Sequence, residues 1–195
     1  MTALCLTRRS SLLLPLLLAA CGSDEPANFD ALRYDYLPPI PLNVVTVDIE
    51  QHFVPSGVAP DVTPQAPVKP ATALRTMAED RLRPFGGKGR ALFTIQNASL
   101  VRRDGTLNGT MAVVLTVYRE SGEKGGFVEA QVVRRETGSS GSLRTTLYQM
   151  VRSMMDQMNV ELEFQIRRNL RDWVTEPVAA PRAVEQAPLA APQRL

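Results

Sequence analysis

Residues 42–53 alternate between apolar and polar side chains. Val45, Val47, Ile49 and Phe53 fall on one side of this pattern, and Thr46, Asp48, Glu50 and His52 fall on the other. A period of two with β-branched residues predicts a β-strand that is buried on one face. Residues 55–70 follow, with prolines at 55, 60, 64, 67 and 70. We expect an exposed loop without regular structure there.

The next stretch has a helical period. Leu74, Ala78 and Leu82 recur every four residues, which predicts a helix over residues 70–83. Pro70 or Thr72 suits its start, and Pro84 with the glycines among residues 86–89 suits its end. The same glycines around Lys88 faintly resemble a phosphate-binding loop, but their spacing is wrong and they follow a helix. We therefore interpret them as a helix cap.

Three further strands are predicted between this helix and the next. Apolar residues at spacing two occupy residues 91–101, 107–119 and 127–136. Asp104 and Gly105 mark a hairpin turn between the first and second of these strands. The three strands therefore form an antiparallel meander.

A second, longer helical pattern begins after Ser142, which suits an N-cap. The apolar positions are Leu143, Leu147, Val151, Met154, Met158, Leu162, Ile166, Leu170 and Trp173. This stripe predicts a helix over residues 143–173, about 45 Å long at 1.5 Å per residue. Such a helix either projects beyond the sheet or breaks near Asn159 and Val160. Residues 175–195 are rich in alanine and proline and predict a disordered tail.

The predicted order of elements is β-α-β-β-β-α. Four strands with one apolar face and two amphipathic helices bury their apolar surfaces when both helices lie on the same face of the sheet. The sequence therefore predicts an α+β fold, a two-layer sandwich with a four-stranded, mostly antiparallel sheet, over residues 42–174. Hydrophobic residues make up 44% of the chain, which suffices for one core.

The first 20 residues have the layout of a secretory signal peptide. Arg8 and Arg9 precede an apolar run that ends in small residues. A spanning helix needs roughly 20 apolar residues; this run is shorter and contains Pro15, so a membrane anchor is the weaker alternative. The arginine pair leaves general and twin-arginine secretion open.

Leu18, Ala19, Ala20 and Cys21 close this run, and they resemble a bacterial lipobox. The resemblance implies cleavage between Ala20 and Cys21, a thioether-linked diacylglycerol on Cys21 and acylation of the new amino terminus. It also implies a place at the cell envelope, and Gly22 after the cysteine implies the periplasmic face of the outer membrane rather than the inner membrane. Residues 21–41 would then be a proline-containing tether.

Composition limits the function classes. The formal charge of the whole chain is +2, and the leader contributes two of these charges through its arginines, so the mature chain is neutral. A neutral chain argues against a nucleic-acid partner. Cys5 leaves with the leader and Cys21 is lipidated, so we expect no disulfide in the mature chain.

No catalytic motif stands out. His52 is the single histidine, which argues against histidine-rich metal sites and a serine–histidine–aspartate triad. Asp48 and Glu50 are paired carboxylates of the kind that can do acid–base work, but a solvated strand face gives the same pattern. We therefore expect no enzyme activity, no metal and no cofactor beyond the lipid on Cys21.

Two surfaces are candidates for binding. Met150, Met155, Arg167, Arg168 and Arg171 flank the apolar stripe of the long helix and form a candidate partner face. Core packing is the favoured interpretation of the methionines, and a solvated helix flank is the favoured interpretation of the arginines, which also suit anionic lipid headgroups. Phe53, Phe93 and Trp173 form a candidate apolar cleft for a lipid or another apolar ligand.

The combination of lipobox, tether, element order and long last helix resembles small envelope lipoproteins. Two groups share this layout: the auxiliary lipoproteins of ABC-type transport systems and the lipopolysaccharide-assembly lipoprotein. An uncharacterised lipoprotein family would fit equally. The resemblance implies an accessory or docking subunit of an envelope complex, in lipid transport or outer-membrane assembly. A periplasmic carrier of a lipid is the alternative.

Overall fold

The computed structural model describes residues 28–138 and 141–175. Its strands are β1 (Ile40–Leu42), β2 (Thr46–Gln51), β3 (Leu82–Pro84), β4 (Arg90–Arg103), β5 (Thr106–Tyr118) and β6 (Lys124–Thr137). Its helices are α1 (Pro70–Arg81) and α2 (Leu143–Asn169), and short 3₁₀ turns cover Thr63–Gln65 and Arg171–Trp173.

The main sheet has the order β2-β4-β5-β6. β2 runs parallel to β4, and the β4–β5 and β5–β6 pairs are antiparallel. The parallel pair arises because the chain crosses over through α1 between β2 and β4. α1 packs on β4 and α2 packs on β6. The predicted α+β sandwich with a four-stranded, mostly antiparallel sheet is confirmed.

The core lies between this sheet and the helices. Every second residue of β5 is buried, including Met111, Val113, Leu115 and Val117. The stripe of α2 packs on them with Leu147, Val151, Met154, Met158, Leu162 and Ile166, all buried. The apolar residues that alternate along β5 and those that recur at helical spacing along α2 therefore pack on each other.

The long helix neither breaks nor projects beyond the sheet. α2 is continuous for 27 residues, about 40 Å, and β6 with 14 residues is about as long. Ser142 caps it as predicted, accepting a hydrogen bond from the Thr145 amide at 3.2 Å. The helix ends at Asn169, so the predicted extension to Trp173 is wrong. Trp173 lies in the following 3₁₀ turn.

The predicted strand over residues 42–53 is two strands. β1 ends at Leu42 and pairs in parallel with β3 in a separate two-stranded sheet, and β2 begins at Thr46. The intervening turn reverses the alternation, so Val44 is buried and Val45 is 51% exposed. Val45 therefore does not share a buried face with Val47.

The first helix ends without a glycine cap. α1 ends at Arg81 and its C-cap, Leu82, is extended and begins β3. Residues 86–89 instead connect β3 to β4, and the Gly86 amide donates to the Val44 carbonyl at 3.0 Å. The predicted cap at these glycines is therefore wrong.

The proline-rich residues 55–70 do not form a fully exposed loop. The Val62 amide donates to the Leu100 carbonyl, and the Arg102 amide donates to the Pro60 carbonyl, both at 2.9 Å. β2 covers only the first six residues of β4. The proline-rich segment covers the remainder of that edge, and Val62 and Ala66 are buried in doing so.

Candidate functional site

The segment before β1, residues 28–39, lies on the helices, and we call it the N-terminal arm. The Asp80 carboxylate accepts hydrogen bonds from the Arg33 guanidinium at 2.9 Å and from the Tyr34 amide at 2.9 Å. Burial acts to raise the pKa of Asp80, but these hydrogen bonds and the Arg33 charge outweigh it and hold that pKa below its usual value. Asp80 therefore fixes the arm to the end of α1 as an ionised group.

The next residue of α1 fixes the arm to α2 as well. The Arg81 side chain is 3% exposed. It donates to the carbonyls of Pro38 and Asn159, to the Asn159 side-chain oxygen, and to Glu163 at 2.5 Å. The pKa of Glu163 is lowered because Arg81 and Arg167 outweigh its burial. One buried guanidinium thus joins both helices and the arm.

The start of the arm packs on the first half of α2. The Phe29 and Tyr148 rings have centroids 5.2 Å apart, and the Tyr148 hydroxyl donates to the Asp30 carbonyl. The arm is therefore held along its length, as expected for a tether whose later, aromatic residues dock on the domain. The signal peptide 1–20, the Ala20–Cys21 cleavage site and the lipid attachment at Cys21 lie outside the described residues, as does the tail from residue 176.

The exposed side of α2 carries apolar and cationic groups together. We call this surface the α2 flank and define it as Val160, Phe164, Arg167, Arg168 and Arg171. Val160 is 72% exposed and Phe164 52% exposed. The Arg168 guanidinium lies over the Phe164 ring, 5.8 Å from its centroid. Phe164 and the three arginines line a shallow depression of about 400 Å³.

Charge on the α2 flank is only partly neutralised. Arg167 donates to Glu163 at 2.9 Å. Among the residues that the structure describes, Arg168 and Arg171 have no carboxylate within ion-pair distance. Exposed aromatic and arginine side chains side by side are typical of protein-binding surfaces.

Met150 and Met155 do not lie on this face, since both are fully buried. Their assignment to the partner face is wrong, and the favoured interpretation of core packing is confirmed. A Cβ added to Gly109 of β5 would lie 3.1 Å from the Met150 sulfur and 2.5 Å from the Met154 sulfur. The bare backbone at Gly109 thus makes room for Met150 against the sheet. Met155 lies one turn before Asn159, on the side of α2 that faces α1 and the arm.

The predicted apolar cleft does not form. Phe93 is fully buried in the core. Phe53 lies just past the C-terminal end of β2, and its amide donates to the Ile95 carbonyl. Trp173 lies at the opposite, N-terminal end of β2, and its carbonyl accepts a hydrogen bond from the Asn43 amide. Since six residues of strand separate the two sites by about 20 Å, Phe53 and Trp173 do not line one cavity.

A cleft that sequence reasoning missed lies next to Trp173. It has a volume of about 770 Å³ and is lined by Asn43, Gly87, Lys88, Gly89, Arg119, Glu120, Ser121, Gly125, Asp172 and Trp173. Lys88 pairs with Glu120 at 3.3 Å across it. The residues that line this cleft come from four separate segments of the chain, so no local sequence motif predicts it.

The polar face of β2 is open. His52 contacts Glu50 at 3.3 Å, and both side chains are more than half exposed. Asp48 lies 4.0 Å from Arg90. Within residues 28–138 and 141–175, no cluster of three or more histidine, cysteine or acidic side chains is arranged to hold a metal ion. None of the helices described is long and apolar enough to cross a membrane.

Comparison with known proteins gives little beyond this geometry. No protein-family model and no curated protein matches the chain. A minor lipoprotein from Acinetobacter baumannii is similar at 10% identity over 70% of this chain and 100% of its own, with a TM-score of 0.32. Lipoprotein GNA1162 from Neisseria meningitidis is similar at 14% identity over 61% and 97%, with a TM-score of 0.27. Both are bacterial lipoproteins, and the scores are too low to transfer any of their properties to this chain.

Proposed function

We propose that the protein is a non-enzymatic accessory lipoprotein of the bacterial envelope, anchored through Cys21. In this proposal it faces the periplasm from the outer membrane and docks on a membrane-associated complex that transports lipids or assembles the outer membrane. Two or more acyl chains on one cysteine are enough for stable anchoring.

The observation that carries this proposal is the fixed N-terminal arm. The described chain begins at Asn28, and the arm is bound to the helices from Phe29 onward. At no more than about 3.6 Å per residue, the seven steps from Cys21 to Asn28 span at most about 25 Å. A lipid on Cys21 would therefore hold the folded domain close to the membrane surface.

The α2 flank is the docking surface of this proposal. Tyr148, which holds the start of the arm, and Arg168 are 20 residues apart on one helix, about 30 Å. The flank thus lies far from the point where the chain enters the domain. Phe164 is exposed, and Arg168 and Arg171 have no ion-pair partner among the described residues, so the flank suits a partner surface that is apolar at its centre and acidic at its rim. The lipid-carrier alternative gains no support, since its three predicted residues do not meet.

Membrane fractionation of cells that express wild type and Cys21→Ala tests the anchor. We expect the wild type in the outer-membrane fraction and the variant in the soluble fraction. If both forms fractionate as soluble protein, the anchor is wrong.

Crosslinking with a photoreactive residue at position 164 tests the docking surface. We expect discrete crosslinked proteins whose yield falls in Arg168→Glu/Arg171→Glu and not in Arg102→Glu/Arg103→Glu, which changes charge equally at exposed positions of β4. Equal yields from both variants would reject the α2 flank while leaving the anchor intact.

A further inference from the structure

The outer edge of β6 is long and open. β6 is the last strand of the sheet and has 14 residues without a proline. Among the residues that the structure describes, no other segment donates or accepts a backbone hydrogen bond along residues 125–137 of this edge. In contrast, β2 and residues 60–63 cover the edge of β4 that faces away from β5. Open edges of this length are templates for pairing with another strand.

The outward face of β6 carries two separated charges of opposite sign. Glu129, Gln131, Val133 and Arg135 are exposed on this face. Glu129 lies opposite Val114 of β5, and Arg135 lies opposite Asn108. Neither has an ion-pair partner within the described part of the chain. The two charges are six residues apart, about 20 Å along the strand, so they cannot pair with each other within one chain.

We propose that β6 pairs antiparallel with β6 of a second copy, so that two sheets join into one sheet of eight strands. The two-fold axis passes through Val132. In this register Glu129 of each copy lies opposite Arg135 of the other, and Val133 lies opposite Gln131. A shift of two residues in either direction places Glu129 opposite a neutral residue and removes both charge pairs. The charges therefore select one register.

This symmetry agrees with anchoring in a single membrane. A two-fold axis between antiparallel strands of one sheet stands perpendicular to that sheet. Both helix layers therefore lie on the same side of the joined sheet, and so do both N-terminal arms, which are bound to Asp80, Arg81 and Tyr148 of the helices. The two chains could then reach the same membrane through their short links to Cys21.

The chain's own tail is the other segment available for this edge. Trp173, shortly before this tail, packs on Gly125 at the start of β6. Residues 176–195 contain prolines at 177, 181, 188 and 192. Proline cannot donate to a strand ladder. The longest run between these prolines has six residues, too short to cover β6. A second copy of β6 has the length to pair along the whole edge.

Sedimentation of the full lipidated chain in detergent micelles tests the proposal. We expect a dimer for wild type, a dissociation constant raised about 10-fold or more in Glu129→Arg and in Arg135→Glu, and recovery in the double variant. Arg103→Glu is the matched control, because it reverses an exposed charge on the inner strand β4.

Two results would overturn the proposal: a monomeric wild type, and a dimer that neither single reversal weakens. If the wild type is monomeric, a loss of slow hydrogen exchange at the β6 amides on removal of residues 176–195 would show that the tail covers the edge instead. None of these results bears on the Cys21 anchor, which fractionation tests separately.

Discussion

Arg81 is the residue whose replacement should loosen the whole helix layer. Arg81→Met keeps the apolar stem and removes the guanidinium. The change removes the Arg81 donor from the carbonyls of Pro38 and Asn159 and from the Glu163 carboxylate. Removing one partner of a buried charge pair costs about 3–5 kcal/mol. Glu163 keeps Arg167 and its side chain is 29% exposed, so we expect the lower end, about 3 kcal/mol.

Urea unfolding followed by circular dichroism measures the loss in the free energy of unfolding. A thermal scan of Arg81→Met should show a melting temperature lower than that of wild type by roughly 6–12 °C. Arg167→Met is the matched control, because Arg167 binds the same Glu163 but its side chain is 44% exposed. An exposed pair of this kind is worth about 0.5 kcal/mol or less. A loss below about 1 kcal/mol for Arg81→Met, or equal losses in the two variants, would refute the assigned role of the buried guanidinium.

Three further predictions concern single side chains. Gly125→Ala should lower stability by about 2 kcal/mol and shift the fluorescence of Trp173, because the new methyl group would overlap the indole ring; an unchanged spectrum would contradict this packing. Tyr34→Phe should stabilise the chain by about 1 kcal/mol in urea titrations, because the Tyr34 hydroxyl is buried and has no hydrogen-bond partner among the described residues; a loss would show that the hydroxyl is satisfied. The pKa of Asp80 is lowered in the folded state because the hydrogen bonds from Arg33 and Tyr34 outweigh burial. The ionised Asp80 therefore contributes fully to the free energy of unfolding above the unfolded carboxyl pKa of about 3.9. This contribution is lost as the pH falls below that value. Asp80→Asn should therefore be less stable than wild type at pH 6, with a smaller difference at pH 3; a constant difference would contradict the ionic role.

The main elements of the fold could be predicted from periodicity because each of them is long. β5 alternates over 13 residues and α2 keeps its stripe over 27 residues, so neither pattern arises by chance. β1 and β3 have three residues each, which is too short for a period to show. Their pairing depends on contacts between segments about 40 residues apart, and a local pattern carries no information on such contacts.

The candidate surfaces show the same limit. The exposure of Arg167, Arg168 and Arg171 could be predicted, because charged residues beside an apolar stripe face solvent. Core packing of Met150 was favoured by the residue type, but the gap in β5 that receives it was not predictable, because that gap depends on Gly109 in a different strand. The role of Arg81 was also missed, since nothing in the sequence distinguishes a buried arginine at a helix end from an exposed one. Its partners come from the arm and from α2, both remote in sequence.

The most direct test of the central claim is a mass spectrum of the N-terminal peptide from protein extracted from cell membranes. We expect a peptide that begins at Cys21 and carries the mass of a diacylglycerol and one further acyl chain. Cys21→Ala should give no such peptide. An unmodified Cys21 within a longer peptide that includes Leu18 and Ala20 would contradict the anchor, and with it the proposal that a short link holds this domain at the membrane.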